Sequence, residues 1–505
     1  MMAKRKKSAG DKTLFWLIVV LAISLLVGVN RAWEGIGGYH GWNEAYYSNK
    51  ASSVLEHPFK YPSNAAGNLF TSPPPLYDYL LASVYLVFGV NVLYGRLLSI
   101  LFSLAALTLT FTVADLIYGR REALLASALA AFAPAHVLVG RNIQTDMAVS
   151  CFLLASLASY LRWWKRKDRR YLYLACFFVG VGFWIKQITV LFLVSAALTE
   201  TYLSKGFKWV GRPHLTGLLI SAVIIAPFIA YGLVLNSGAF ITGSSYLAEG
   251  SRSIGGLPAL LHCLRELFWG FSPALFILSA YSAYGLRSKR SKQELLLLSM
   301  LAVFLLLFLK YNYHSYYLLP MVYPAAVLSS KTLVKIPKRW KWVPHLLLAT
   351  MLLNSMLLLA ASKYGFNGLS TLPRLVGDGK TTVYMSDYTF GSYGEILGFY
   401  LPDARLAVTD DLRKISDSGG GSYLLIQRSE SENLRLDGFT PLMRDYYGMS
   451  AGFLSFILKP SNYHGYAVDN VYTQWGDNLG FGFTNVTSYG EFYLVDLSSY
   501  TSPTT

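Results

Sequence analysis

The chain has 505 residues, of which 53% are hydrophobic and 14% charged, with a mean hydropathy of +0.38 and a formal net charge of +16. Soluble globular proteins carry roughly a quarter charged residues, so a wholly soluble enzyme is excluded. Three cysteines, Cys151, Cys176 and Cys263, lie in or beside apolar runs, and their odd number excludes a complete disulfide framework.

Apolar runs predict membrane-spanning helices near 14–30, 93–117, 122–139, 147–163, 171–185, 188–204, 214–235, 267–285, 292–309, 315–333 and 342–361, eleven in all. The fold class expected is therefore a polytopic α-helical membrane protein. Residues 1–361 hold 34 Lys and Arg against 13 Asp and Glu, a balance of +21, whereas residues 362–505 hold 10 against 15, a balance of −5. With the amino terminus in the cytoplasm, the inner segments collect about 24 basic residues and the outer loops about eight, which is the orientation the positive-inside rule selects. These basic residues sit at span ends, so membrane lipids rather than nucleic acid are the expected partners. The run after Lys4–Lys7 is long enough to span and reads as a signal anchor.

A large outer loop, residues 30–92, separates the first two spans. Its apolar end, Leu76–Val90, reads as an interfacial or re-entrant helix with Tyr77, Tyr79 and Tyr85 at headgroup level, because a further crossing would turn every later basic loop outward. From residue 362 the pattern changes to short alternating runs at Thr382, Ser422 and Phe492 separated by Gly, Asp and Ser clusters. Residues 362–505 are thus expected to form a soluble α/β domain, and eleven crossings put it outside. The expected membrane is the plasma membrane of a prokaryote, or the endoplasmic reticulum of a eukaryotic host.

Ionisable groups in or beside spans are costly and mark function by default. Glu44 follows the first span, Asp146 lies between the third and fourth, Lys186 in the hinge between the fifth and sixth, and His314 between the ninth and tenth. All four fall on the outer side of the topology read from charge alone. Carboxylates can take the proton of an acceptor hydroxyl as it attacks an anomeric carbon, while cations stabilise a departing phosphate. Glu44 and Asp146 are accordingly the candidate catalytic carboxylates, and Lys186, Arg141, His314, Lys310 and Arg96 the candidate donor-phosphate ligands. Trp42, Asn43, Tyr46, Tyr77 and Tyr316 would line the sugar or acceptor. If a divalent metal is used, Glu44, Asp146 and His40 would hold it. Each also has a structural reading: Glu44 as a loop hydrogen-bonder, Asp146 as a helix cap, Lys186 as a snorkelling lysine, and His314 as part of an aromatic interface belt.

The order of these pieces resembles the C-type (GT-C) glycosyltransferase superfamily, in the branch shared by protein O-mannosyltransferases and lipid A aminoarabinose transferases. Gly41-Trp-Asn-Glu-Ala-Tyr-Tyr47 is similar to the family's acidic first-loop motif, Ser72-Pro-Pro-Pro-Leu-Tyr77 to its Pro-Pro-Leu element, and Arg141–Asp146 to its Arg-x-x-x-x-Asp element. Gly180–Lys186 resembles its Gly-rich helix ending in Lys, and His314-Ser-Tyr-Tyr-Leu-Leu-Pro320 a late outer-loop motif. The resemblance implies an inverting transfer of a monosaccharide from dolichyl or undecaprenyl phosphate to a protein, lipid or glycan acceptor, with Glu44 as base. Two departures stand out. Asn43 occupies the place of the usual Asp, and Pro73 that of the lysine which precedes Pro-Pro-Leu in aminoarabinose transferases.

Two rival readings remain at this level. A transporter or lipid flippase would place charges near mid-membrane and show repeated helices, and no repeat is evident. An oligosaccharyltransferase would show a Trp-Trp-Asp string in its outer domain, where this chain offers Gln474-Trp-Gly-Asp-Asn478.

Overall fold

The computed structural model describes residues 2–30, 32–36, 41–64, 73–235, 257–285, 290–310, 315–361, 369, 372–376, 381–409, 422–427, 443–445, 448–452, 484–488 and 492–497. The first part of the chain is helical: α1 (Met2–Val29), α2 (Gly41–Glu56), α3 (Leu76–Phe88), α4 (Val92–Ile117), α5 (Arg120–Ala131), α6 (Pro134–Val139), α7 (Thr145–Arg166), α8 (Arg169–Phe183), α9 (Leu191–Ser204) and α10 (Arg212–Leu235). Further helices cover Leu257–Phe271, Pro273–Gly285, Lys292–Lys310, Leu319–Val334 and Val343–Ala361.

Among the described residues, six helices are long and apolar enough to cross a membrane: Lys12–Val29, Val92–Ile117, Thr145–Arg166, Gln187–Ser204, Arg212–Val234 and Lys292–Leu309. Each falls on an expected span, and the chain is an integral membrane protein. Three other expected spans are interrupted by local backbone chemistry. The 122–139 run breaks where Ala133, forced extended by the following Pro134, separates α5 from α6. The 267–285 run breaks at Ser272, whose φ is 71°, directly before Pro273. The 315–333 run opens with a 3-10 turn over Ser315–Leu318 before the helix begins at Leu319. The 171–185 run gives the 15-residue α8, and 342–361 the 19-residue helix Val343–Ala361.

The boundaries follow from the sequence. Asn91 caps α4 by accepting from the Leu93 amide at 2.9 Å. Lys167 ends α7 in the left-handed region, and Asp168 immediately caps α8 through the Arg170 amide at 3.0 Å, so two residues reverse the chain. α5 is rich in buried small residues, including Ala123, Ala126, Ser127 and Ala130, which lets it pack closely against α4 and Leu319–Val334. The Ser127 hydroxyl donates to the Leu107 carbonyl of α4 at 3.0 Å.

α3 has 13 residues, about 20 Å of helix, too short for a hydrocarbon layer of about 30 Å. Its tyrosines correct the expectation of a headgroup belt. Tyr77 and Tyr85 are buried, with hydroxyls shared with Ser99 at 3.1 Å and Ser48 at 3.0 Å, so this face of α3 packs on α2 and α4. Tyr79 alone of the three stays partly exposed.

Beyond residue 361, the runs expected to be strands form β1 (Thr382–Met385), β3 (Ser422–Gln427) and β7 (Phe492–Asp496). With β2 (Arg405–Val408) and β4 (Met443–Asp445) they make a sheet in the order β2-β1-β3-β7-β4. β1 runs parallel to β2 and β3, while β7 is antiparallel to β3 and β4. A second, two-stranded sheet pairs β5 (Gly448–Gly452) with β6 (Thr484–Ser488). The helix Asp387–Tyr400, which follows β1, lies on α2: Asn49 donates to the backbone carbonyl and the carboxylate of Glu395 at 2.8 and 2.9 Å, and the Ile36 amide donates to the Tyr400 hydroxyl at 2.5 Å. The sheet-bearing part therefore rests on the helix that carries Glu44.

Candidate active site

α2 is the organising element. Ten of its sixteen residues are buried, and they include Glu44, Ser48, Asn49 and Lys50, an unusual polar load for a buried helix. Such groups persist only when paired, and the pairs define the site.

Glu44 is fully buried and meets Arg96 of α4 through two bonds, Nε to Oε1 at 2.8 Å and a terminal nitrogen to Oε2 at 2.6 Å. The Ile143 amide adds a third donor to Oε1 at 3.1 Å. Arg96 in turn donates to the backbone carbonyls of Ala32 at 3.1 Å, Glu34 at 2.5 Å and Gly35 at 3.3 Å. One guanidinium thus ties the segment after α1 to α2 and α4. Arg96 thus spends its donors inside the protein, and both oxygens of Glu44 are engaged by cation or amide.

The second pair is Asp146 with Lys186, at 2.8 Å. Asp146 stands in the first turn of α7, three residues beyond the Ile143 amide that binds Glu44, so one short segment, residues 140–146, carries contacts to both pairs. Arg141 of that segment donates to the Asn30 carbonyl at 2.6 Å, and Thr145 shares a hydrogen bond with the Tyr47 hydroxyl at 3.4 Å. Lys186 arrives through a tight exit from α8. Its amide donates to the Gly182 carbonyl at 3.0 Å, and a Cβ at Gly182 would meet Phe152 at 2.8 Å and Thr189 at 2.9 Å. Only glycine fits there. The Leu76 amide, after the three prolines, donates to the Trp184 carbonyl at 2.9 Å, so the Pro-Pro-Leu segment is fastened to the turn that presents Lys186.

The Lys186 ammonium also lies 4.8 Å from the ring centroid of Tyr316 and 4.7 Å from that of Tyr317. Burial works to lower its pKa, but Asp146 and Tyr317 outweigh it and hold it above the ordinary lysine value. Lys186 therefore stays cationic. The structure brings together Asp146, Lys186 and Tyr316 as the sequence suggests, and adds Tyr317. Trp42 is partly buried and stacks on Tyr46 at 5.1 Å, while Tyr46 and Tyr77 are buried in the core, which makes them supports rather than an open sugar platform. Asn43 is partly exposed beside them. His40, His314 and the Lys310 side chain lie outside the described residues.

The third buried pair escaped sequence reasoning. Lys50 of α2 and Asp78 of α3 are 2.6 Å apart, each at most 2% exposed, with the ammonium 5.3 Å from the Tyr46 ring centroid. An acidic residue inside the apolar run Leu76–Val90 was the available signal. Breaking one side of such a pair costs about 3–5 kcal/mol, whereas replacing both by apolar groups is often neutral. Lys50→Met alone is expected to lower the unfolding temperature in detergent sharply, and Lys50→Met with Asp78→Leu to recover most of the loss. Equal losses in the single and double variants would remove the pairing from the account.

A metal held by Glu44, Asp146 and His40 would have to compete with Arg96 for the first carboxylate and Lys186 for the second. No three His, Cys, Asp or Glu side chains converge among the described residues. Among the described residues each carboxylate is held by a cation, Glu44 by Arg96 and Asp146 by Lys186.

Residues 72–231 match the family described as dolichyl-phosphate-mannose-protein mannosyltransferase. YkcB of Bacillus subtilis (strain 168), provisionally named a mannosyltransferase, is 26% identical over 226 residues, 44% of this chain and 30% of that protein. The chain thus matches under a third of the length of this curated relative. In fold it is similar to ArnT from Cupriavidus metallidurans, solved in the apo state (TM-score 0.70, 13% identity, 87% of this chain and 97% of ArnT) and bound to undecaprenyl phosphate (TM-score 0.67, 15% identity, 85% and 96%). It is also similar to the archaeal oligosaccharyltransferase AglB from Archaeoglobus fulgidus, solved with an inhibitory peptide and a dolichol-phosphate (TM-score 0.51, 13% identity, 83% of this chain and 70% of AglB).

Proposed function

We infer that this chain, which belongs by fold to the C-type glycosyltransferase superfamily, transfers a monosaccharide from a polyprenyl phosphate to a hydroxyl of a protein, lipid or glycan. The observation that carries the reading is the Asp146–Lys186 pair at 2.8 Å beneath Tyr316 and Tyr317. It sets a carboxylate able to accept a proton beside a cation able to neutralise a phosphate. The undecaprenyl phosphate bound by ArnT and the dolichol-phosphate in AglB support the class of donor.

In this reading the acceptor oxygen attacks the anomeric carbon from the face opposite the phosphate, and its proton passes to Asp146. The bond between the anomeric carbon and the phosphate oxygen breaks, and the polyprenyl phosphate leaves with the bonding electrons, its charge met by Lys186. One displacement inverts the anomeric centre. Glu44 and Arg96 hold α2, α4 and the 140–146 segment in register. Arg141, Lys310 and His314 remain candidates for the rest of the phosphate site. The topology proposed with it has eleven crossings, the amino terminus in the cytoplasm and residues 362–505 outside, where the helix Asp387–Tyr400 rests on α2.

The test is transfer by purified protein from a panel of radiolabelled polyprenyl-phosphate monosaccharides to endogenous membrane acceptors. Transfer from at least one donor, with unchanged rate after EDTA treatment, is expected. Silence with every monosaccharide but transfer from a lipid-linked oligosaccharide would replace this reading by an oligosaccharyltransferase, and loss of transfer in EDTA would restore a metal.

A further inference from the structure

Gln144 lies in the same segment, between Ile143, whose amide binds Glu44, and Asp146, which binds Lys186. It is 1% exposed, and among the described residues neither its Nε2 nor its Oε1 has a hydrogen-bond partner. It occupies the residue before α7 in extended conformation, the usual place for a capping side chain, yet makes no capping bond. Buried polar side chains in native proteins are nearly always satisfied, and an orphaned one calls for a ligand or an ordered water.

The chemistry of the carboxamide narrows the choice. Nε2 can only donate and Oε1 can only accept. A phosphodiester oxygen would satisfy the nitrogen and leave the oxygen bare, since an ionised phosphodiester has no proton to give. Two neighbouring hydroxyls of a sugar ring satisfy both at once, one accepting from Nε2 and the other donating to Oε1.

We propose that Gln144 is a sugar-recognition residue, its carboxamide pairing with ring hydroxyls of the donor monosaccharide next to the reacting carbon. The proposal rests on the function inferred above, and it makes residues 140–146 the specificity segment of the enzyme: its two neighbouring ion pairs fix the backbone, and Gln144 reads the sugar.

The experiment compares kcat/KM for wild type and Gln144→Met with the best donor of the panel and with its single-deoxy analogues at each ring hydroxyl. A site built to hydrogen-bond a hydroxyl strongly rejects the analogue that lacks it. Wild type is expected to discriminate against one or two deoxy donors by about 10²-fold or more, and Gln144→Met to lose the parent donor by a similar factor while processing those deoxy donors as wild type does. The variant should keep the wild-type unfolding temperature, since among the described residues no protein hydrogen bond is lost. Equal loss with every donor would assign Gln144 to the phosphate or to packing and overturn the proposal, as would an unchanged kcat/KM. If Gln144→Met fails to fold, the wild-type panel decides alone: uniform use of all deoxy donors overturns the proposal. Absence of transfer by wild type with any donor removes the parent reading itself, a separate outcome.

Discussion

Asp146→Asn abolishes transfer, lowering kcat by about 10²–10⁴-fold, while the purified protein stays folded with a modestly lowered unfolding temperature. The amide retains the size of the carboxylate and can still contact its surroundings, but it cannot accept the acceptor proton. Some stability is lost with the anion, because burial penalises the Lys186 ammonium, but the loss is partial: that side chain is 13% exposed, keeps the faces of Tyr316 and Tyr317, and can still donate to the amide oxygen. Single-turnover transfer with saturating donor separates the chemical step from binding. A variant with near-wild-type single-turnover rates would take the base role from Asp146. An unfolding temperature that collapses would instead make the pair structural.

The elements legible in the sequence were those set by local pattern. The runs at Thr382, Ser422 and Phe492 alternate with period two, and all three became neighbours in one sheet. The apolar runs marked the long helices, and the Gly-rich stretch ending at Lys186 was recognisable because a lysine at the end of an apolar helix is conspicuous on its own. Breaks at Ala133 and Ser272 were less visible, although the prolines that follow them were there to be read. What local pattern could not carry was the pairing of charges across the fold. Glu44 and Arg96 are 52 positions apart, and whether that arginine meets a phosphate or a carboxylate depends on how α2 packs on α4. The same holds for Lys50 and Asp78, and for Gln144, which is unremarkable as a residue type and informative only because burial leaves it without a partner among the described residues.

Glu44→Gln gives the opposite signature from Asp146→Asn: it lowers stability first, and activity falls with it. The substitution takes the Glu44 carboxylate away from Arg96, which is fully buried, while the three backbone carbonyls it reaches remain. Removing one partner of a buried ion pair costs about 3–5 kcal/mol, a large fraction of the 5–15 kcal/mol by which folded proteins are typically stable. The expected result is a large drop in unfolding temperature and in the yield of folded protein. Arg96→Met strands the carboxylate instead and should destabilise comparably, while Glu44→Gln combined with Arg96→Met should recover a substantial part of the loss because the buried pair is then removed as a whole. The double variant decides the role. If it refolds yet transfers sugar at a measurable rate, Glu44 acts by holding the segment that carries Asp146 and is not itself the base. If Glu44→Gln alone keeps the wild-type unfolding temperature and loses all transfer, the carboxylate leaves Arg96 during turnover and takes the proton itself, and Asp146 becomes the partner that orients Lys186.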